Sequence, residues 1–96
     1  MIYLDNNATT ALHPEVFKEM LPFLTSQQGN PASNHTFGRN AHTAIEEARE
    51  KVATSVNAHP SQVIFTSSGT ESNNTIINGI AKAYPDSHFG FSSIEH

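Results

Sequence analysis

The stretch that decides the fold is an apolar run followed by small polar residues, Val63-Ile64-Phe65-Thr66-Ser67-Ser68-Gly69-Thr70-Glu71-Ser72. The run at 63–66 barely alternates between apolar and polar residues, which is typical of a strand buried on both faces. Downstream, apolar residues recur at helical spacing, at Ile76, Ile77, Ile80, Ala81 and Tyr84. A buried strand, a turn of small residues and a helix in this order predict an α/β domain.

Two further helices and a second strand are predicted on either side of this stretch. The first helix begins near Pro14, which suits a first helical turn, while Pro22 argues against a regular last turn. The second helix has one apolar face, formed by Ala41, Ala44, Ile45, Ala48, Val52, Ala53 and Val56. Residues 88–92 are predicted to form the second strand. Because two strands make a poor sheet, the sequence predicts an incomplete sheet with unpaired edges.

Composition limits the function classes that fit the chain. Its 96 residues are 36% hydrophobic, so either the core is thin or apolar surface is left for a partner to cover. The five basic residues are scattered and the formal net charge is −4, which argues against nucleic-acid binding and membrane attachment. There is no secretory signal and no apolar run long enough to span a membrane, so a cytoplasmic protein is expected. The absence of cysteine and of histidine–carboxylate motifs predicts no metal site.

The turn at 67–72 is the main candidate for chemistry. A helix N-terminus presents free N–H groups and a partial positive charge, Gly69 permits close backbone approach, and Thr70 adds a hydroxyl donor. A phosphate group fits such a turn. The same residues also fit an ordinary helix cap, since Ser68 and Glu71 have capping-box spacing, and spacing alone does not separate the two interpretations.

Two other places carry candidate residues. The polar run at 5–10 predicts either a loop that contacts substrate or a second subunit, or a solvated turn. His96 follows the second predicted strand, the end at which α/β enzymes place reactive groups, although a frayed terminal residue is the simpler interpretation.

Taken together, four blocks in this order resemble the NifS/IscS-type cysteine desulfurases of the class V aminotransferase group. The first block is Tyr3-Leu4-Asp5-Asn6-Asn7-Ala8-Thr9-Thr10, and the second is Gly29-Asn30-Pro31-Ala32-Ser33 with His35 and Gly38-Arg39. The third block is the turn and helix start at 65–74, and the fourth is the segment 92–96. The blocks span almost the whole chain, and their order makes the resemblance specific.

The resemblance implies a fold and an activity. The fold is the N-terminal part of the large domain of a pyridoxal-phosphate (PLP) transferase of fold type I, with residues 1–12 as an arm and loop and 13–96 as the incomplete PLP-binding domain. The family enzyme is a homodimer that takes sulfur from L-cysteine, giving L-alanine and an enzyme persulfide. That sulfur passes to an acceptor or scaffold protein for iron–sulfur cluster or thio-cofactor assembly.

The resemblance also implies residue roles. Gly69 and Thr70 are expected to hold the PLP phosphate, and His96 to stack on the pyridine ring and assist proton transfer. Positions near the substrate and the other subunit are Asn6, Asn7, Ala8 and Thr9. Positions at the active-site entrance or dimer contact are Asn30, His35 and Arg39.

The sequence departs from the family at two places and in what it lacks. Ala11 stands where the family usually has proline, which loosens the turn after Thr10. Ser68-Gly69 stands where the family commonly has Gly-Ala. The lysine that anchors PLP, the aspartate facing its ring nitrogen and the nucleophilic cysteine belong to a C-terminal portion that this chain does not contain. The chain alone is therefore expected to be inactive. The resemblance leaves two alternatives open: a non-catalytic interaction module derived from the fold, or another class V enzyme such as a selenocysteine lyase.

Overall fold

A computed structural model describes residues 2–94 of the chain. It contains three α-helices: α1 at Pro14–Thr25, α2 at Thr36–Ser55 and α3 at Gly69–Ala83. A short 3₁₀ turn at Pro60–Gln62 follows α2. The chain divides into two compact units, an N-terminal unit of residues 1–63 and a C-terminal unit of residues 64–96.

The three predicted helices are present, and the first is longer than its sequence indicated. Pro22 lies inside α1, which continues to Thr25. Proline cannot donate a hydrogen bond to the preceding turn, but its own carbonyl still accepts one. The Pro22 carbonyl accepts from the backbone N–H groups of Ser26 and Gln27 at 2.9 and 2.8 Å. The prediction that Pro22 disturbs the last turn was therefore wrong.

The predicted incomplete sheet is not confirmed, because residues 2–94 contain no strand. The segments at 63–66 and 88–92 have no regular secondary structure. A strand exists only when a neighbour accepts and donates its backbone hydrogen bonds. The apolar composition of these segments indicates that they could be buried as strands. Within the described residues, however, no second strand provides the backbone hydrogen bonds that a sheet requires.

Helix α2 and the 3₁₀ turn form the best-packed part of the N-terminal unit. The two elements contact each other directly. Ala53 on α2 is 1% exposed and is the only buried hydrophobic residue among residues 2–94. On the same helix, the Arg49 guanidinium binds the Glu46 carboxylate at 3.1 Å and donates to the Val63 carbonyl. This contact ties α2 to the residue at which the N-terminal unit ends.

The C-terminus of α2 is closed by a Schellman motif around Asn57. The Ala58 N–H donates to the Ala53 carbonyl at 2.8 Å, and the Asn57 N–H donates to the Thr54 carbonyl at 3.2 Å. Asn57 has φ of 53°, in the left-handed region that asparagine tolerates better than most residues. The sequence predicted a turn at this place, and the motif gives it a defined geometry.

Most large apolar side chains are exposed. The apolar face of α1 is 41–69% exposed at Val16, Phe17, Met20, Leu21 and Leu24. Such a face normally packs against other elements of a domain. The core is therefore thin, and apolar surface is left uncovered, as the composition indicated.

Candidate functional site

The turn that precedes α3 is held by side-chain hydrogen bonds. The Thr66 and Ser72 hydroxyls lie 2.7 Å apart, and the Thr66 hydroxyl also donates to the Ser68 carbonyl at 3.1 Å. The Ser68 hydroxyl accepts from the Glu71 N–H at 3.3 Å, which makes Ser68 the N-cap of α3. These contacts span only six positions, so the turn can form from local sequence.

The cap and the anion site predicted from the sequence are compatible in this geometry. The cap uses the third amide of α3, that of Glu71, and leaves the first two, those of Gly69 and Thr70. Within residues 2–94, neither of these N–H groups nor the Thr70 hydroxyl has a hydrogen-bond partner. Three donors next to each other at a helix N-terminus suit an anionic group.

Gly69 leaves the approach to these donors open. A Cβ built on Gly69 would have no neighbour within 4 Å, and no glycine among residues 2–94 has positive φ. Gly69 is therefore not required by the backbone conformation of the turn itself. The open space around it would also accommodate the methyl group of an alanine, the residue that the family commonly has at this position.

The Glu71 carboxylate makes a contact that the sequence reasoning missed. The capping-box spacing predicted that it would reach the Ser68 N–H, but it accepts instead from Ser67. The Ser67 N–H donates at 2.7 Å and the Ser67 hydroxyl at 2.6 Å, both to Oε2. The hydrogen bond from the Ser67 side chain, followed by that from its backbone N–H, lowers the pKa of Glu71. The signal that was available is a serine four positions before a glutamate at a helix start.

The predicted loop residues at 6–9 form a tight turn. The Ala8 and Thr9 N–H groups donate to the Asp5 carbonyl at 3.1 and 3.4 Å, and the Thr10 hydroxyl donates to the Asn6 carbonyl at 3.2 Å. All of these residues are exposed. The Asn6 and Asn7 side chains have no hydrogen-bond partner within the part of the chain that the structure describes.

Asn30, His35 and Arg39 are brought together around Gly38. The Asn30 carbonyl accepts from the Ser33 N–H at 2.9 Å, and the His35 Nδ1 accepts from the Gly38 N–H at 3.4 Å, which caps α2. The Arg39 guanidinium donates to the Asn34 carbonyl and to the Thr36 hydroxyl. These residues therefore have a structural role in the loop, whatever they contact beyond it.

Gly38, in the first turn of α2, is one of two glycines here that face backbone carbonyls closely; the other is Gly29, where a Cβ would lie 2.2 Å from the Phe37 carbonyl oxygen. A Cβ on Gly38 would lie 2.1 Å from the Ser33 carbonyl oxygen and 2.7 Å from the Asn30 carbonyl oxygen. Gly38 is also buried. Glycine is needed here because two backbone carbonyls approach its Cα directly.

His96, the predicted ring-stacking residue, lies outside the described residues. No hydrogen bond joins the turn at 5–8 to the loop at 30–39 within residues 2–94. The predicted site residues thus fall into separate local clusters, each with its own hydrogen bonds.

No helix of the described chain has the length and apolar content needed to cross a membrane.

Comparison with known proteins assigns the chain to a family. The aminotransferase class-V family profile matches residues 2–96, and the chain belongs to this family. Its curated relatives include cysteine desulfurases. Cysteine desulfurase IscS of Dictyoglomus turgidum is 52% identical over 99% of this chain and 25% of the relative. Cysteine desulfurase 2 of Trichormus variabilis is 47% identical over 100% of this chain and 24% of the relative.

A third relative, cysteine desulfurase IscS of Methylococcus capsulatus, is 52% identical over 86% of this chain and 21% of its own length. The chain therefore spans about a quarter of the length of the curated relatives it matches. The resemblance to cysteine desulfurases that the four sequence blocks indicated is confirmed. The family also fits the PLP-dependent architecture of fold type I.

Proposed function

We propose that this chain supplies the phosphate-binding turn of a PLP-dependent cysteine desulfurase, which takes sulfur from L-cysteine and forms L-alanine and an enzyme persulfide. Class V membership and the names of the relatives support the reaction. The observation that carries the proposal is the pair of unpartnered amides at Gly69 and Thr70. Bound PLP would supply the electron sink for the chemistry at the substrate carbon.

The donor set of the turn fits a phosphate group. Gly69 and Thr70 contribute backbone N–H groups, and Thr70 adds its hydroxyl. The N-terminal end of α3 carries a partial positive charge from the aligned peptide dipoles, which favours an anion without a basic side chain. The open space in front of Gly69 allows the anion to approach the backbone.

The remaining predicted residues have proposed roles around that turn. His96 stacks on the cofactor ring and holds or moves a proton near the substrate. Asn6, Asn7, Ala8 and Thr9 face the substrate and a second subunit of a homodimer. The loop containing Asn30, His35 and Arg39 shapes the active-site entrance or the dimer contact. Residues 1–12 form an arm, and 13–96 belong to the cofactor domain.

The chain alone is proposed to be inactive. A persulfide needs a cysteine thiolate, and the 96 residues contain no cysteine. The cysteine and the lysine that anchors PLP would come from a C-terminal portion that completes the cytoplasmic enzyme. The persulfide sulfur would then pass to an acceptor or scaffold protein.

A chimera tests the proposal. Residues 1–96 replace the segment that they match in the Dictyoglomus turgidum relative, and dissociation constants are measured for PLP and for pyridoxal, which lacks the phosphate. In Thr70→Val, we expect PLP to bind about tenfold more weakly while pyridoxal binding changes less than about twofold, because only the phosphate loses a donor.

The control is Thr75→Val, an exposed threonine on the same helix. It should leave both constants unchanged, and the parent chimera should release sulfide from L-cysteine. Equal losses of PLP and pyridoxal in Thr70→Val would contradict a phosphate role for this turn. Sulfide release by the 96-residue chain alone would contradict the proposed dependence on a C-terminal portion.

A further inference from the structure

The Glu71–Ser67 contact closes the phosphate turn from one side. One carboxylate oxygen accepts both the N–H and the hydroxyl of Ser67, at 2.7 and 2.6 Å. In the opposite direction, the Ser68 hydroxyl accepts from the Glu71 N–H at 3.3 Å. Glu71 thus fixes the two residues that immediately precede the amides of Gly69 and Thr70.

A carboxylate beside an anion site is unexpected on charge alone. Two negative groups repel each other, and no cationic side chain lies within 4 Å of Glu71 in the described chain. The Ser67 donors offset part of this charge, and their hydrogen bonds lower the pKa of Glu71. The carboxylate is therefore held in its ionised form by the turn itself.

We propose that Glu71 is a positioning residue for the cofactor phosphate. Its carboxylate accepts both hydrogen bonds that Ser67 donates, and this fixes the conformation of the turn. The N–H groups of Gly69 and Thr70 therefore stay available to the anion. This inference rests on the proposed function, since it assigns a role to a residue beside the same phosphate. Glu71 does not touch the phosphate and acts only through Ser67.

Positioning and simple repulsion predict opposite effects for the same substitutions. If Glu71 positions the turn, Glu71→Ala and Glu71→Asp weaken PLP binding, because neither side chain can reach both Ser67 donors. Glu71→Gln keeps an oxygen that accepts from Ser67 and retains PLP binding. If Glu71 were only a nearby negative charge, Glu71→Ala and Glu71→Gln would both strengthen PLP binding, and Glu71→Asp would change nothing.

The experiment measures dissociation constants of the chimera for PLP and pyridoxal. In Glu71→Ala and Glu71→Asp we expect PLP to bind about three- to tenfold more weakly, with pyridoxal changed less than about twofold. Glu71→Gln should stay within about twofold of the parent for both ligands. Glu50→Ala, which removes an exposed carboxylate from α2, is the control for net charge and should alter neither constant.

Tighter PLP binding in both Glu71→Ala and Glu71→Gln would overturn the inference, as would unchanged binding in all three variants. If Glu71→Ala does not fold, Glu71→Asp and Glu71→Gln give the same discrimination. Thr70→Val separates this inference from the proposed function. A PLP-selective loss in Thr70→Val without one in Glu71→Asp refutes the positioning role alone, whereas no selective loss in either refutes the phosphate site.

Discussion

Helices α2 and α3 are held in place by different means. Helix α2 contains the buried residues Gly38 and Ala53 and ends in a Schellman motif at Asn57. Helix α3 contains no buried residue, and its apolar positions Ile76 and Ile80 are 58% and 41% exposed. Close backbone packing therefore fixes α2, whereas α3 depends on the polar contacts at its own N-terminus.

This difference explains how a candidate site can form without a core. The hydrogen bonds of the turn before α3 join residues no more than six positions apart, so they need no distant partner. The surfaces of α3 that would pack in a larger domain remain uncovered. Local polar contacts thus shape the donors, while burial of the helix requires other elements.

The largest effect is expected where backbone packing is closest. Gly38→Ala should lower the unfolding free energy of the N-terminal unit by about 2–3 kcal/mol, because the new methyl group overlaps two carbonyls. Urea unfolding of the chain, followed by circular dichroism, measures the change.

The matched control is Gly79→Ala in α3, where a Cβ meets nothing within 4 Å. Alanine should stabilise that helix by about 0.5–1 kcal/mol, through its better helix propensity. Destabilisation by Gly79→Ala comparable to that by Gly38→Ala would remove the proposed difference between the two helices.

A smaller loss of unfolding free energy is expected when the hydrogen bond between Arg49 and the Val63 carbonyl is removed. Arg49→Ala should cost about 1–2 kcal/mol, because it removes both the Glu46 ion pair and the donor to the Val63 carbonyl. Lys51→Ala removes an exposed positive charge from the same helix and should cost far less. Equal losses in the two variants would show that neither the Glu46 ion pair nor the Val63 hydrogen bond stabilises the unit.

The smallest expected effect is the pH dependence of the stability of the turn before α3. Because hydrogen bonds from Ser67 lower the pKa of Glu71, this contact stabilises the turn above the ordinary glutamate pKa. The stabilisation is lost as the pH falls through the lowered value. The carboxyl carbon of Glu71 and the Ser67 amide should therefore titrate together by NMR, and in Glu71→Gln the Ser67 transition should vanish. A Ser67 amide that titrates independently of Glu71 would contradict the contact.

The sequence predicted what depends on local spacing and missed what depends on distant partners. The helix at Gly69–Ala83 and its Ser68 cap followed from periodicity and from residue types. The segments at 63–66 and 88–92 have strand-like composition, but pairing is decided by residues far away in the chain or outside it. Glu71 was predicted in part. The spacing correctly predicted that the Ser68 hydroxyl accepts from the Glu71 N–H, but the Glu71 carboxylate accepts from Ser67 and not from the Ser68 N–H.

Histidine caps were also missed, for a physical reason. His13, His35 and His59 each precede a helical segment and accept a backbone N–H through Nδ1. Histidine is not among the side chains usually expected at an N-cap, so residue preferences gave no signal.

The most direct test of the central claim is a crystal structure of the chimera with PLP bound. Phosphate oxygens should lie within hydrogen-bonding distance, about 2.7–3.2 Å, of the backbone nitrogens of both Gly69 and Thr70. Glu71 should still accept from Ser67 in that structure. A phosphate bound elsewhere, with the two amides hydrogen-bonded to protein groups, would contradict the account.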